Sequence, residues 1–291
     1  MIKEPFVPSA AAVAISMALA IPVDSALAAT TLSVQATADT FLTSYTQQAN
    51  SDMSSFGAMM ISSPQADPLQ GISEVRTMEN LVSYNTATIK AGFDAQYGAG
   101  NWHVTDVQIK WYTNFDIQGV PANNNQFNVP HAGYFGISYF GNDSWFDPTT
   151  AGATGLTVSS PKVTWNSVYG GGAWSNLFTG QTSLGTFYYP TGTFNGTTSC
   201  AGEICAPRLW DLNLATPLVD DILAGGFLSF HSYAADDQVV YLVNQLTKPD
   251  AHPQIFISAA AGPAPVPVPA AAWLFASALA WLSVLGRRRA A

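Results

Sequence analysis

Cysteine is nearly missing from this chain. Its 291 residues hold two, Cys200 and Cys205, with Ala-Gly-Glu-Ile between them. That number excludes a disulfide-dense scaffold, and the gap is too wide for a redox dithiol, which also needs a helix N-terminus. No further ligands lie nearby to complete a zinc site. In an oxidising compartment the two pair and pin one short loop. Charge is also scarce, 10% of residues, and basic charge is scarcest: 10 Lys and Arg against 19 Asp and Glu. From Ala29 to Gly262 the counts are 17 acidic and 6 basic, a net charge of −11. Phosphate binding needs clustered cations, so nucleic acid is excluded as a partner. Such a surface suits solubility and divalent cations.

Catalytic signatures are missing too. The histidines, His103, His131, His231 and His252, are scattered, and none has a His-x-x-x-His partner. No Gly-x-Ser-x-Gly elbow occurs, and Gly170-Gly171-Gly172 lacks the Lys and helix of a phosphate loop. Long helical periodicity is absent from the body.

What is present begins at the ends. Ser9 to Val23 is small and apolar apart from Ser and Pro, follows the single basic residue Lys3, and leads to Ala26-Leu27-Ala28 before Ala29. That is the pattern of a secretory signal peptide, residues 1–28. At the other end Gly262-Pro-Ala-Pro-Val-Pro-Val-Pro precedes the uncharged Ala270 to Leu285 and then Arg287-Arg288-Arg289. Sixteen residues make about 24 Å of helix, a span that reaches across a thinned bilayer with the arginines held on the cytoplasmic side.

Pro267-Val268-Pro269, the apolar helix and the Arg287–Arg289 run, in that order, resemble the PEP-CTERM sorting signal, in the variant that reads Val-Pro-Leu-Pro-Ala before its helix. The resemblance covers residues 263–291. It implies an exosortase that recognises and removes the tail, a transient inner-membrane anchor, and delivery to the surface or matrix of a polysaccharide-producing Gram-negative bacterium.

The body, residues 29–262, is expected to be one all-β domain. Short alternating runs recur between Gly, Pro, Asn and Asp clusters, the pattern of an antiparallel β-sandwich. Strands are predicted at Thr31–Leu42, Met59–Ile61, Glu74–Leu81, Val104–Tyr112, Tyr134–Phe140, Val163–Trp165, Leu184–Tyr189, Phe227–Ser232, Val239–Val243 and Ile255–Ser258. In the clearest, Val107, Ile109 and Trp111 alternate with Gln108 and Lys110. One short helix is predicted, capped by Thr216, opened by Pro217 and ended by Gly225.

Ala38-Asp39-Thr40-Phe41, Asn142-Asp143-Ser144-Trp145, Thr164-Trp165-Asn166 and Trp210-Asp211-Leu212 ahead of the helix resemble segments of DNRLRE-type secreted domains. That family implies a jelly-roll sandwich associated with cell-surface polysaccharide. The name-giving motif is not visible, and Phe146-Asp147 stands where a Glu is expected.

Aromatic residues carry the binding expectation. Trp145, Trp174, Tyr188 and Tyr189 have loop neighbours, and flat rings exposed there can stack on sugars; the alternative is that they fill the core. Asp143 and Asp147 flank Trp145 and are candidate ligands for a structural calcium, the one cofactor considered. Asp236-Asp237 suits a turn. Three functions follow: a non-catalytic binder of extracellular polysaccharide in a biofilm, a glycoside hydrolase or polysaccharide lyase using Asp143, Asp147 or another acid beside Trp145 or Tyr189, and a ligand-free matrix scaffold.

Overall fold

Period-2 alternation builds most of this protein. In the computed structural model, Val107, Ile109 and Trp111 are fully buried while Gln108 and Lys110 stay partly exposed. The structure describes residues 28–64, 76–114, 116–117, 120–121, 132–147, 162–190, 207–247 and 251–262. The expected signal peptide up to Leu27, Cys200 and Cys205, and the expected sorting tail with Pro267, Val268, Pro269 and Arg287–Arg289 lie outside the described residues.

The strands are β1 (Thr30–Gln35), β2 (Ala38–Thr43), β3 (Ala58–Ser62), β4 (Met78–Asn85), β5 (Trp102–Trp111), β6 (Asp116–Ile117), β7 (Val120–Pro121), β8 (Gly133–Phe140), β9 (Thr182–Tyr189), β10 (Arg208–Asp211), β11 (Phe227–Ala234), β12 (Val240–Asn244) and β13 (Gln254–Ala261). Sheet I runs β1-β13-β5-β10. Sheet II runs β12-β3-β4-β11-β8-β9, with β2 also paired to β4. All pairings are antiparallel, and β6 and β7 form a small ribbon of their own. The two sheets pack through one shared core that includes Val107 and Ile257 from sheet I and Val82, Ile137 and Phe230 from sheet II. This is the expected antiparallel β-sandwich.

The predicted first strand is two. Residues 36 and 37 carry the chain from sheet I to sheet II, with Ala36 N donating to Pro253 O and Thr37 N to Ser83 O. The chain crosses again after β5, where Asn114 N donates to Leu242 O and Asn244 N to Tyr112 O, tying its tail to β12.

Among the described residues three α-helices form where one was expected in the body. The first, α1 (Ala87–Tyr97), buries Ile89 and Phe93, spaced four apart on one face. The second, α2 (Trp165–Tyr169), replaces the end of the strand expected at Val163–Trp165. Its cap decides the outcome: Ser167 N donates to Thr164 Oγ1, and Thr164 N donates to Ser167 Oγ. That reciprocal pair satisfies two donors a strand here would have to place elsewhere. The third, α3 (Thr216–Ala224), is the predicted helix. Its cap is Ala215, one residue earlier than expected, and Gly225 ends it at φ +73°, where a Cβ is disfavoured.

Sheet II has a second apolar layer on its outward side. Residues 143–147 and 162–181 fold back so that Trp145, Phe146, Val168 and Leu177 cover Leu42, Leu81 and Phe140. Among the described residues this cover reaches only part of the sheet, and that partial coverage positions the site.

Candidate functional site: an aromatic strip beside a buried Glu–His pair

Tyr188 and Tyr189 show how the strand sorts side chains. Tyr189 points into the sandwich, is 0% exposed and stacks on Tyr241 at 4.1 Å. Tyr188 points outward and is 51% exposed. On the neighbouring strand Tyr134 is its direct partner in register, 49% exposed, with ring centroids 5.1 Å apart. Cross-strand aromatic pairs hold each other in place, so the two rings form one fixed platform.

The rows beside the platform extend it. Tyr233 of β11 lies opposite Gly136 of β8, and its ring rests on that glycine. A Cβ at Gly136 would sit 2.7 Å from Tyr233 Cζ, so any side chain there would displace the ring from its seat. Asp236, in the turn after β11, fixes the rim. Its Oδ2 accepts from Tyr134 N at 2.6 Å, and its Oδ1 accepts from Gln238 N and Val239 N at 2.9 Å. The sequence placed Asp236-Asp237 in a turn, and there the pair stands.

One step further along β11 the cover begins. His231 is 4% exposed, with Phe178 stacked flat on it at 3.9 Å and Tyr233 at 5.1 Å. Its Nε2 meets Glu79 Oε2 at 3.0 Å, and its Nδ1 meets Gln181 Oε1 at 3.1 Å. The hydroxyl of Tyr169 donates to the same Glu79 oxygen. Burial, with Glu79 beside it, raises the Tyr169 phenol above its ordinary pKa. Tyr169 itself is 46% exposed and packs on Trp165 at 4.4 Å. Both imidazole nitrogens are thus engaged. This arrangement locks the edge of the cover and leaves His231 without a free nitrogen for a substrate.

Two expected sugar-stacking residues are corrected. Trp145 is 1% exposed; it anchors the cover and donates from Nε1 to Ser229 Oγ at 2.9 Å. Tyr189 is an interior residue, as above. Neither offers a ring face to a ligand. Trp174 is partly exposed and packs against the covering cluster, while Tyr188 is the one expected residue fully at the surface.

Asp143 accepts from Ser229 Oγ at 2.6 Å, which extends the Trp145–Ser229 chain. Burial pushes its carboxyl up to about 6, with the Asp221 charge adding to the rise. Asp147 is partly exposed, just after the turn. Among the described residues no group of three or more His, Cys, Asp or Glu is arranged to hold a metal ion. Trp145 and Tyr189, the two rings beside which the hydrolase alternative places an acid, are both buried. Among the described residues no helix is long and apolar enough to cross a membrane.

Tyr134, Tyr169, Tyr233, Glu79 and His231 were missed as site residues. A signal existed for Tyr134: the alternation that turns Phe135, Ile137 and Tyr139 inward turns Tyr134 outward. The meeting of Glu79 with His231 is a register effect between distant strands and has no local signal. No family model matches the chain, and no curated protein matches it.

Proposed function

We propose that this is a secreted, exosortase-sorted surface or matrix protein whose sandwich binds extracellular polysaccharide without turning it over. The observation that carries the binding reading is the Tyr134–Tyr188 platform, two half-exposed rings held side by side on a rigid sheet. Sugar rings stack on such faces through their CH groups, and exposed aromatic pairs in fixed register are otherwise an unfavourable use of surface. The fully engaged His231 and the tethered Asp143 support a non-catalytic role.

The jelly-roll reading of the fold belongs to the same proposal. Taking β1, β4, β5, β8, β9, β10, β11 and β13 as eight successive strands, the sheet orders become 1-8-3-6 and 2-7-4-5. That is the wrapping of a jelly roll, and it supports the DNRLRE-type resemblance. The sorting tail supports exosortase and the inner membrane as transient partners in a Gram-negative cell. Loss of retention on chelation in the test below would add a structural calcium to the reading.

The test is binding of the secreted protein to its host's own polysaccharide, with and without EDTA. Retention that is weakened by Tyr188→Ala, with no shorter oligosaccharides released, is the expected result. Release of oligosaccharides would move the assignment to a hydrolase or lyase. Deleting Ala270 to Ala291 is expected to leave the body in the periplasm; unchanged delivery would remove the sorting assignment.

A further inference from the structure

The geometry points to an uncharged glycan chain, not a uronate or sulfated one, as the ligand of the outward strip on sheet II; this rests on the polysaccharide-binding reading and specifies its chemistry. The first argument is shape. Tyr188, Tyr134 and Tyr233 stand on the three neighbouring strands β9, β8 and β11, with Tyr134 opposite Tyr188 and Tyr233 opposite Gly136, two residues along from Tyr134. Two strand spacings of about 4.8 Å and two residues of strand, about 7 Å, separate Tyr188 from Tyr233. The three rings therefore face a ligand longer than one sugar ring, which selects a chain over a monosaccharide.

The second argument is charge. The five described Lys and Arg residues all lie elsewhere. Arg76 is buried ahead of β4 against Tyr45, and Lys90 is on α1 beside Asp94. Lys110 is on sheet I, Arg208 reaches from sheet I over the inward ring of Tyr189 at 5.5 Å, and Lys162 pairs with Asp52. The charged side chains that do border the strip are acids: Asp236 at its rim, the exposed Asp237 beside it, and Glu79 at its inner end. An acidic polysaccharide lying there would meet like charge, with no compensating cation among the described residues. Aromatic stacking on CH-rich sugar faces is indifferent to that field, so a neutral chain loses nothing.

The experiment uses the full chain, purified in mild detergent, in affinity electrophoresis against matched pairs. Hydroxyethylcellulose is set against carboxymethylcellulose, methyl-esterified polygalacturonate against its free acid, and the host's polysaccharide against a carboxyl-reduced sample. At low salt the neutral member of at least one pair should bind at least about tenfold more tightly, with the gap narrowing as salt screens it. Asp237→Lys should narrow the gap further by improving the acidic member alone. The double variant Tyr134→Ser/Tyr188→Ser, checked for an unchanged melting temperature, should lose at least about tenfold on every glycan bound. Tighter or equal binding of the acidic members at low salt overturns the inference and leaves polysaccharide binding standing. Binding that survives the double variant overturns the site. No retention on any polymer, the host's included, overturns the binding reading itself. The pairwise comparison on the unaltered protein does not depend on any variant folding.

Discussion

The outward side of sheet II has two halves built on the same strands. Over Leu81, Phe140 and Ser229 the chain has laid its own segment, and Trp145, Val168 and Leu177 fill the space against them. Along the other half Tyr134 and Tyr188 keep about half their surface in solvent, and Tyr233 rests on Gly136. The change of side chain along β8 and β11 separates them. Phe140 has no polar group and is stable only under cover, whereas a tyrosine presents an apolar ring and a hydroxyl that tolerates water. One half is built for stability, and the other is left for contact. If that division is right, substitutions in the two halves should fail in opposite assays.

Trp145→Ala should have the largest effect. It removes the largest side chain under the cover and leaves Ser229 without the indole donor. A loss of about 3–5 kcal/mol in stability follows from the cavity and the broken hydrogen bond. Chemical denaturation would read this directly. The fraction that remains folded should bind glycan normally, and a selective loss of binding with unchanged stability would break the division between the halves.

His231→Ala comes next, because it acts on the boundary. It would leave the Glu79 carboxylate buried with only the Tyr169 hydroxyl, and it removes the ring on which Phe178 stacks. A cost of about 2–4 kcal/mol is expected. Glu79→Gln keeps an acceptor for both partners and should cost less, about 1–2 kcal/mol. Equal effects of the two variants would mean that the pair does not hold the cover.

The fold was more legible in the sequence than the site, for a physical reason. Burial of alternate residues is written locally, so β5, β8 and β9 could be read from Val107-Ile109-Trp111, Phe135-Ile137-Tyr139 and the run ending at Tyr189. Helix α2 was misread because Val163, Thr164 and Trp165 favour strand by type, while the cap formed by Thr164 and Ser167 prevails in three dimensions. Helix α1 went unread because its apolar face rests on few residues, Ile89 and Phe93 among them. The site depends on which strands become neighbours. Tyr134 and Tyr188 are far apart in sequence and meet only through the β8–β9 register, as Glu79 and His231 meet only because β4 lies beside β11. Trp145 was a candidate for the surface by its polar neighbours, with the core as the alternative, and the turn made by Asn142, Asp143 and Ser144 takes it inward.

Asp143 offers a smaller effect through pH. Its folded carboxyl sits near 6, above the ordinary 3.8, so the native state holds the proton longer than the unfolded chain. Stability should therefore be fully retained below about 4, where both states are protonated, and fall as pH rises from about 4 to 6. Because the group is partly open to solvent, the change is about 1 kcal/mol. Asp39, wholly buried on the inner side and pushed up to about 8, adds its own downward slope from about 4 to 8. Asp143→Asn should therefore make the profile shallower between about 4 and 6 and leave it unchanged from about 6 to 8. A slope from about 4 to 6 as steep as in the unaltered protein would place its whole origin in the inner core instead of under the cover.

Tyr188→Ala should disturb the fold least and matter most for contact. The ring is half in water, sits on a strand at the margin of sheet II, and gains its packing mainly from Tyr134. Losing that cross-strand pair costs about 0.2–1 kcal/mol, a small shift in a melting curve. The same change removes half of the stacking platform, so retention on the host's polysaccharide should fall at least about tenfold while stability holds. Tyr189→Ala, one residue along, should do the reverse. It opens the aromatic interior against Tyr241 and should cost several kcal/mol, on the scale of about 3–5 for a buried aromatic. Adjacent residues with opposite phenotypes would tie binding to the outward face alone, whereas matching phenotypes would mean that Tyr188 acts through the fold.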